Sequence, residues 1–370
     1  MRMEELWEAV NFICSMEFLK MAVLWTMSLL TSYIQLFVPR LFGQKTTVYP
    51  RCLPQMRGSI RPVCIVTGAT SGLGAATAQA LSNEGFCVVL AGRSMHLLSK
   101  TMTQIKRLNK DAHLKAFQVD LSSFPSILKF IGSLEQWLVD SDMHSSIQLL
   151  VNNAGILATS YRLTTEGYDQ MMATNYIGAF SLTKLLLPLL SNSPVPSRIV
   201  NVTSFTHRSV SGMQIDKGTV SGKGFLGLRR YPCAHIYEYS KLCLLLFSYK
   251  LHQQLRLMDN SCQVSVIAAD PGAVKTHIMR EVPSCLSRVA FVMLKLLGLL
   301  QSAENGARSI IDASLAPAEI SGLYFFGGEG RTLNSSALSY SATLAEELWN
   351  ISSDLFLESK LASIGTSTSD

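Results

Sequence analysis

The chain has eight cysteines, yet Cys14, Cys52, Cys64, Cys87, Cys233, Cys243, Cys262 and Cys285 nowhere show the close pairing of a metal-binding knuckle. No metal site is therefore expected. Cys64 and Cys87 fall in apolar runs that read as buried strands, where cysteine acts as a small apolar residue. That argues against a disulfide framework and suits a reducing compartment. A basic stripe is also missing: the net charge is +6, but the cations are scattered and no nucleic-acid motif accompanies them. Nucleic acid is not an expected partner. The chain lacks internal repeats and, apart from the Ser/Thr-rich end Ser363–Asp370, low-complexity tracts. From Met21 to Pro39 it lacks charge altogether.

What is present is a regular alternation of two patterns. Short apolar, β-branched runs at Pro62–Thr67, Phe86–Ala91, His113–Val119, Ile147–Asn152, Arg198–Thr203, Gln263–Ala268 and Leu323–Phe326 read as strands. Helical patterns lie between them, notably Tyr168–Leu190 and Ile236–Met258. Such alternation predicts an α/β fold: a single doubly wound parallel sheet of Rossmann type with helices on both faces. The 48% hydrophobic content allows a substantial core, and a second soluble domain has no room. The expected organisation is an N-terminal hydrophobic anchor over 1–45, a linker over 46–61, the catalytic domain over 62–330 and a C-terminal helical or flexible tail over 331–370.

The first strand runs into Gly68-Ala69-Thr70-Ser71-Gly72-Leu73-Gly74, followed by a helical pattern from Ala75. A glycine turn between a strand and a helix N-terminus makes a phosphate cradle, because backbone N–H groups can approach a pyrophosphate and the helix dipole favours its charge. Gly68, Ser71, Gly72, Leu73 and Gly74 are the candidate cradle residues. Further on, Tyr237 and Lys241 sit one helical turn apart and project from the same face. A cation near a phenol favours the phenolate and lowers the pKa from ~10. Alone, such a pair is more often ordinary helix surface.

The ordered set Thr67-Gly68-x-x-x-Gly72-x-Gly74, Asn152-Asn153-Ala154-Gly155, Ser204, Tyr237-x-x-x-Lys241 and Pro271-Gly272 resembles the short-chain dehydrogenase/reductases, over about Val63 to Phe326. Within them, Thr165-Glu166-Gly167-Tyr168 and Asn175-Tyr176-Ile177-Gly178-Ala179-Phe180-Ser181-Leu182-Thr183 resemble the retinol dehydrogenase branch and its X-linked dehydrogenase/reductase relative. The resemblance implies that Tyr237 passes the proton and that Ser204 holds the substrate oxygen. It also implies that Lys241 holds the nicotinamide ribose and acidifies Tyr237, and that Asn175 organises a water link to Lys241. It further implies an adenine contact for Asp120, a loop along the cofactor made by Asn152, Ala154 and Gly155, and a nicotinamide contact for Pro271, Gly272 and Thr276. Thr203 and Tyr239 are the neighbouring alternatives to Ser204 and Tyr237.

The cofactor choice is read at the end of the second strand. A carboxylate there would hold the ribose 2′-hydroxyl of NAD, but the chain offers Gly92-Arg93-Ser94. Arg93 can pair with a 2′-phosphate, so NADP(H) is expected. Two departures from the branch bear on substrate. Val210–Arg230, between Ser204 and Tyr237, reads as a Gly/Ser/Lys-rich insertion, and Ala179 stands where the branch often has histidine.

The uncharged Met21–Pro39 run is close to the ~30 Å of a bilayer core. Trp25 and Tyr33 could anchor it at the interface. The start of the chain is acidic (Glu4, Glu5, Glu8), unlike a cleaved signal. A membrane anchor is expected ahead of a cleaved segment or a soluble helix. Arg40, Lys45, Arg51, Arg57 and Arg61 follow the run, which would keep the enzyme domain in the cytosol, on the endoplasmic reticulum. The sequons at Asn334 and Asn350 would then go unused. Val289–Leu300 is apolar nearly all round and too short to span, so it reads as a core helix or a substrate lid at the membrane surface. The expected activity is interconversion of a lipophilic alcohol and its aldehyde or ketone, of retinoid or polyisoprenoid type. A steroid or other carbonyl substrate, or a non-catalytic NADP(H)-binding sensor at a membrane, is the alternative. The resemblance is also compatible with a homodimer through the two long helices.

Overall fold

A computed structural model describes residues 16–43, 47–54, 61–141, 144–257 and 263–367. The acidic start, residues 46 and 55–60 of the linker, Cys14, Cys262 and the last three residues lie outside the described residues.

Seven strands form a parallel sheet: β1 (Val63–Thr67), β2 (Cys87–Gly92), β3 (His113–Gln118), β4 (Leu149–Asn152), β5 (Ser197–Val202), β6 (Val264–Asp270) and β7 (Tyr324–Phe326). β8 (Thr332–Leu333) adds an antiparallel edge, giving the order 8-7-6-5-4-1-2-3. The order reverses beside β1, which is the crevice where such sheets bind nucleotides. β1, β2, β4, β5 and β6 are buried along their whole length and are mostly apolar on both faces rather than alternating, with Arg198, Asn201, Ser265 and Asp270 among the buried polar exceptions. The expected doubly wound α/β fold is the one found.

Helices α1 (Trp25–Leu41), α2 (Gly72–Asn83), α3 (Met95–Leu108), α4 (Phe124–Asp140), α5 (Gly178–Ser191), α6 (Cys233–Leu257), α7 (Ser284–Leu296), α8 (Ala303–Leu315) and α9 (Ala342–Ser367) surround the sheet. α2, α3 and α8 pack around one core cluster with Val66, Leu90 and Val200. α4, α5, α6 and α9 pack around the other, with Ile65, Phe180 and Phe247 at its centre. The Val210–Arg230 insertion is ordered in part: Lys217–Ser221 is helical, and Asp216 and Thr219 close its start as a reciprocal capping box.

The helical segment leading into α1, from Met16, includes a π-turn over Lys20–Leu24. One stretch of described helix, Lys20–Val38, is long and apolar enough to cross a membrane. It does not stand away from the domain. Leu29 and Leu36 are buried among Leu245, Tyr324 and Phe326 in a third cluster. α7 also departs from a core helix: of its residues only Leu286 is buried, and Leu296 is 77% exposed.

Candidate active site

The glycine turn has the geometry its sequence requires. Gly68 and Gly72 take φ of +67° and +54°, conformations that L side chains rarely adopt. A Cβ on Gly74 would lie 2.3 Å from the Gly68 carbonyl oxygen, so α2 can approach the strand this closely only with glycine there. Ser71 occupies the N-cap of α2 without a side-chain capping bond, which leaves its hydroxyl and the first helical N–H groups directed at the cleft. The cleft has a volume of about 1060 Å³ and is lined by Gly68, Ser71, Gly72, Leu73, Gly74, Arg93, Asp120, Ala154, Gly155 and Thr276. A glycine-walled cradle at a helix N-terminus, in a cleft of this size, fits a dinucleotide.

Arg93 is exposed at the end of β2, and among the described residues it forms no ion pair. Lys100, one face of α3 further on, also lines the cleft. Sequence reasoning missed it, although its place in the first two turns after Arg93 was the available signal. Asp120 accepts bonds from the backbone N–H and the hydroxyl of Ser122, at 2.9 and 2.7 Å.

Five expected cofactor contacts, Asn152, Tyr237, Lys241, Pro271 and Gly272, are not among the residues lining this cleft. Asn152 is buried behind the cleft wall and donates to Thr183 Oγ1 and Asn201 Oδ1, at 2.9 and 2.8 Å. Asn153, its neighbour, lines the cleft and donates to the Thr67 carbonyl at 2.8 Å. The chain turns over at the end of β4, so the second asparagine rather than the first faces the cleft. Pro271 and Gly272 do not line the cleft either. Gln301 donates to the Pro271 carbonyl at 3.3 Å and to the Tyr33 hydroxyl at 3.2 Å, and so covers that loop.

The catalytic candidates converge. Ser204 follows β5 and its hydroxyl accepts from Thr206 N at 3.3 Å, while its nearness to the Tyr237 phenol favours the phenolate. Thr203, by contrast, donates to the Lys241 carbonyl at 3.1 Å and ties strand to helix. Tyr239 is likewise occupied, donating to the Gln214 carbonyl at 2.7 Å. Lys241 Nζ donates to the Val202 carbonyl at 3.0 Å and lies 5.8 Å from the Tyr237 ring. Asn175 sits in a π-turn (Ala173–Ile177), a distortion frequent at functional sites. Its Oδ1 accepts from Ile156 N at 2.8 Å, while its Nδ2 donates to the Ile156 carbonyl and Ser240 Oγ. A Cβ on Gly155 would meet Asn175 Oδ1 at 3.4 Å and Lys241 Nζ at 3.5 Å, so the cofactor loop, the asparagine and the lysine share one corner.

The electrostatics differ from the expectation that Lys241 acidifies Tyr237. Burial raises the Tyr237 pKa, with Asp270 adding to the rise, and the nearby Ser204 hydroxyl offsets only part of it. Burial also pushes Lys241 down to about 8, against the pull of Asp270. The lysine faces a backbone carbonyl rather than the phenol oxygen, so desolvation dominates. Asp270 is itself pushed up to about 6 by burial, partly offset by the Tyr324 hydroxyl and the Gly272 N–H.

His207 was not anticipated. Nε2 of this fully buried histidine accepts from Ser336 N at 3.1 Å, which makes Nδ1 the donor to the Ser204 carbonyl at 2.6 Å. Burial pushes it down to about 3, so it is a neutral brace for the turn carrying Ser204. No local signal marks it, because its partner is contributed from beyond β8.

The short chain dehydrogenase family matches residues 62–214. Human polyprenol dehydrogenase is 31% identical over 79% of this chain and 84% of its own length. The chain is a short-chain dehydrogenase/reductase. Mouse retinol dehydrogenase 12 is 30% identical over 79% of the chain and 85% of its own length, so this oxidoreductase is retinol dehydrogenase-like. Among solved structures, an uncharacterised protein from Mycobacterium paratuberculosis superposes with a TM-score of 0.61 at 26% identity, over 84% of this chain and 98% of its own. The landomycin C-6 ketoreductase LanV, solved with NADP and rabelomycin, shares the fold with a TM-score of 0.54 at 21% identity, over 73% and 96%. The family and the glycine-walled cleft together make this an oxidoreductase that binds a nicotinamide cofactor.

Proposed function

We propose that this oxidoreductase uses NADP(H) to interconvert a lipophilic alcohol and its aldehyde or ketone, of polyisoprenoid or retinoid type, at a membrane. The observation that carries the reading is the approach of the Ser204 hydroxyl to the Tyr237 phenol, beside the corner shared by Gly155, Asn175 and Lys241. Polyprenol and retinol dehydrogenases among the relatives support the substrate class, and the apolar N-terminal helix supports the membrane. Arg93 and Lys100, with no carboxylate at the end of β2, support a 2′-phosphate.

NADPH held by the glycine turn and Arg93 would supply the hydride for the carbonyl carbon. As the C=O electron pair moves to oxygen, Ser204 donates a hydrogen bond to that oxygen and Tyr237 gives it a proton. A phenol that burial keeps protonated is ready for that donation, so the reducing direction suits its resting state. Lys241 holds the ribose hydroxyls, while Asn175 holds Ile156 and the cofactor loop in place. The test is turnover of NADPH by the full chain in detergent with farnesal, longer polyprenals, retinal and steroid ketones. Activity on isoprenoid aldehydes that Tyr237→Phe lowers by about 10²–10⁴ supports the reading. Turnover of steroid ketones alone, or cofactor binding with no turnover, refutes it.

A further inference from the structure

The N-terminal helix carries two different apolar faces. One is docked on the catalytic domain along its length. Glu17 Oε2 accepts from Ala234 N at the start of α6, at 2.8 Å. Trp25 Nε1 donates to Glu238 at 2.6 Å, and its ring lies 5.5 Å from that of Tyr237. Ser28 Oγ is 2.9 Å from Ser209 Oγ, Ser32 accepts from Arg208 at 3.1 Å, and Tyr33 packs edge-on against Phe326. At about 1.5 Å per residue, contacts from Glu17 to Leu36 occupy roughly 29 Å of helix, the whole depth of a bilayer core. A helix cannot cross the membrane over the same residues by which it is bound to a domain outside it.

The opposite face is apolar and open. Met27 and Ile34 are 57% and 58% exposed, and Val23, Phe37 and Leu41 lie on the same side. α7 presents a second open row, Val289, Val292, Met293 and Leu296. Leu294 of α7 packs in the same cluster as Leu29, Leu30 and Tyr33 of α1, so the two helices are neighbours. No acidic residue occurs between Glu17 and Glu84, nor between Glu281 and Glu304, whereas Lys20, Arg288 and Lys295 flank the apolar rows. Two adjacent apolar helix faces edged by cations alone match the hydrocarbon boundary and headgroups of an anionic bilayer.

We propose that this protein is attached in the plane of an anionic membrane, with α1 docked on the catalytic domain and the outer faces of α1 and α7 immersed together in one leaflet. The arrangement places Trp25 between the lipid-facing helix and the catalytic tyrosine, so a lipophilic substrate would reach Tyr237 from the bilayer side. The membrane attachment deepens the proposed function but can fail independently of it.

Two measurements on the full chain test this. In the Ser28→Cys/Ser209→Cys variant, oxidation of isolated membranes should join α1 to the domain, detected by mass spectrometry of the linked peptides. On vesicles containing phosphatidylserine, Met27→Asp/Ile34→Asp and Val292→Asp/Leu296→Asp should each weaken binding at least tenfold, and neutral vesicles should bind the parent chain less well. An alkali-resistant membrane protein in which the two introduced thiols never link would show a spanning helix and overturn the proposal. A link with vesicle binding unchanged in both Asp variants would also overturn it, because the open faces would then serve another occupant. Turnover of a short water-soluble aldehyde, followed in parallel without vesicles, reports on the proposed activity alone.

Discussion

Trp25 and Tyr237 face each other with ring centroids 5.5 Å apart and planes tilted by 42°. They are far apart in sequence, and their contact makes the N-terminal helix a wall of the candidate site. The indole also donates to Glu238, a neighbour of Tyr237 on α6 that burial pushes up to about 7. Trp25→Ala would lose a ring pair worth about 0.5–1.5 kcal/mol and a hydrogen bond to an ionisable group worth about 1.5–3 kcal/mol. The expected result is a stability loss of about 2–4 kcal/mol by denaturant midpoint, with a raised KM for long isoprenoid substrates. Trp25→Phe should retain the ring contribution and recover part of both. Parent-like stability and KM in Trp25→Ala would show that the contact is unimportant.

On the proposed reading, the nucleotide preference turns on Arg93. Its guanidinium lines the cleft without an ion-pair partner among the described residues, at the strand end where NAD enzymes carry an acid. Arg93→Asp should weaken NADPH binding about 10–100-fold, the value of a charge-assisted bond, and leave NADH binding equal or better. Isothermal titration with each nucleotide measures it. Lys100→Ala should weaken NADPH less, because a lysine acts there as a point charge without a bidentate fork. Equal losses for NADH and NADPH in Arg93→Asp would remove the argument for a 2′-phosphate.

Much of this was readable from the residues, for identifiable reasons. β1, β2 and β6 announce themselves because strands buried on both faces are continuous apolar runs. The glycine turn was legible because each glycine answers a separate backbone need. Asn152 was misplaced because the parity of a side chain depends on the residue at which the strand ends, which sequence gives only to within one or two positions. The Tyr237 environment was misjudged for a different reason. Spacing shows that Lys241 is near, but not that its ammonium is committed to the Val202 carbonyl or that burial outweighs it. The docking of α1 was hidden because a helix apolar on both faces reads as one uniform run. Glu17, Trp25, Ser28, Ser32 and Tyr33 mark the inner face, and their partners are distant in sequence.

Two glycines should respond in opposite directions to the same substitution. At Gly74 a methyl group would lie 2.3 Å from the Gly68 carbonyl oxygen and 2.6 Å from Asn153 Nδ2, and the first of these is backbone that cannot swing away. Gly74→Ala should abolish measurable NADPH binding and lower the Tm. Gly132 is an exposed position inside α4 with open space around it. Gly132→Ala should stabilise by about 0.5–1 kcal/mol, through reduced freedom of the unfolded chain, with cofactor affinity unchanged. Thermal melts with and without NADPH compare the two. A Gly74→Ala protein that still gains stability from NADPH would contradict the close helix–strand approach.

The pH dependence follows from Lys241. Burial holds its folded pKa at about 8, below the ~10.4 of a free lysine. On the proposed reading, below pH 8 the ammonium is present to bind ribose; above it the charge is lost while an unfolded chain would keep it. In the free enzyme, kcat/KM for carbonyl reduction should therefore fall as pH rises through about 8, in a profile that reports the unliganded site. Stability has the opposite sign. A folded state that binds fewer protons than the unfolded one gains relative stability as pH rises between about 8 and 10.4. Activity should thus decline over a range in which this group makes the fold no weaker, which separates titration of the site from unfolding. Lys241→Arg, which cannot lose its charge there, should remove the alkaline limb while lowering the plateau. A limb that stays at the same pH in Lys241→Arg would assign it to another group.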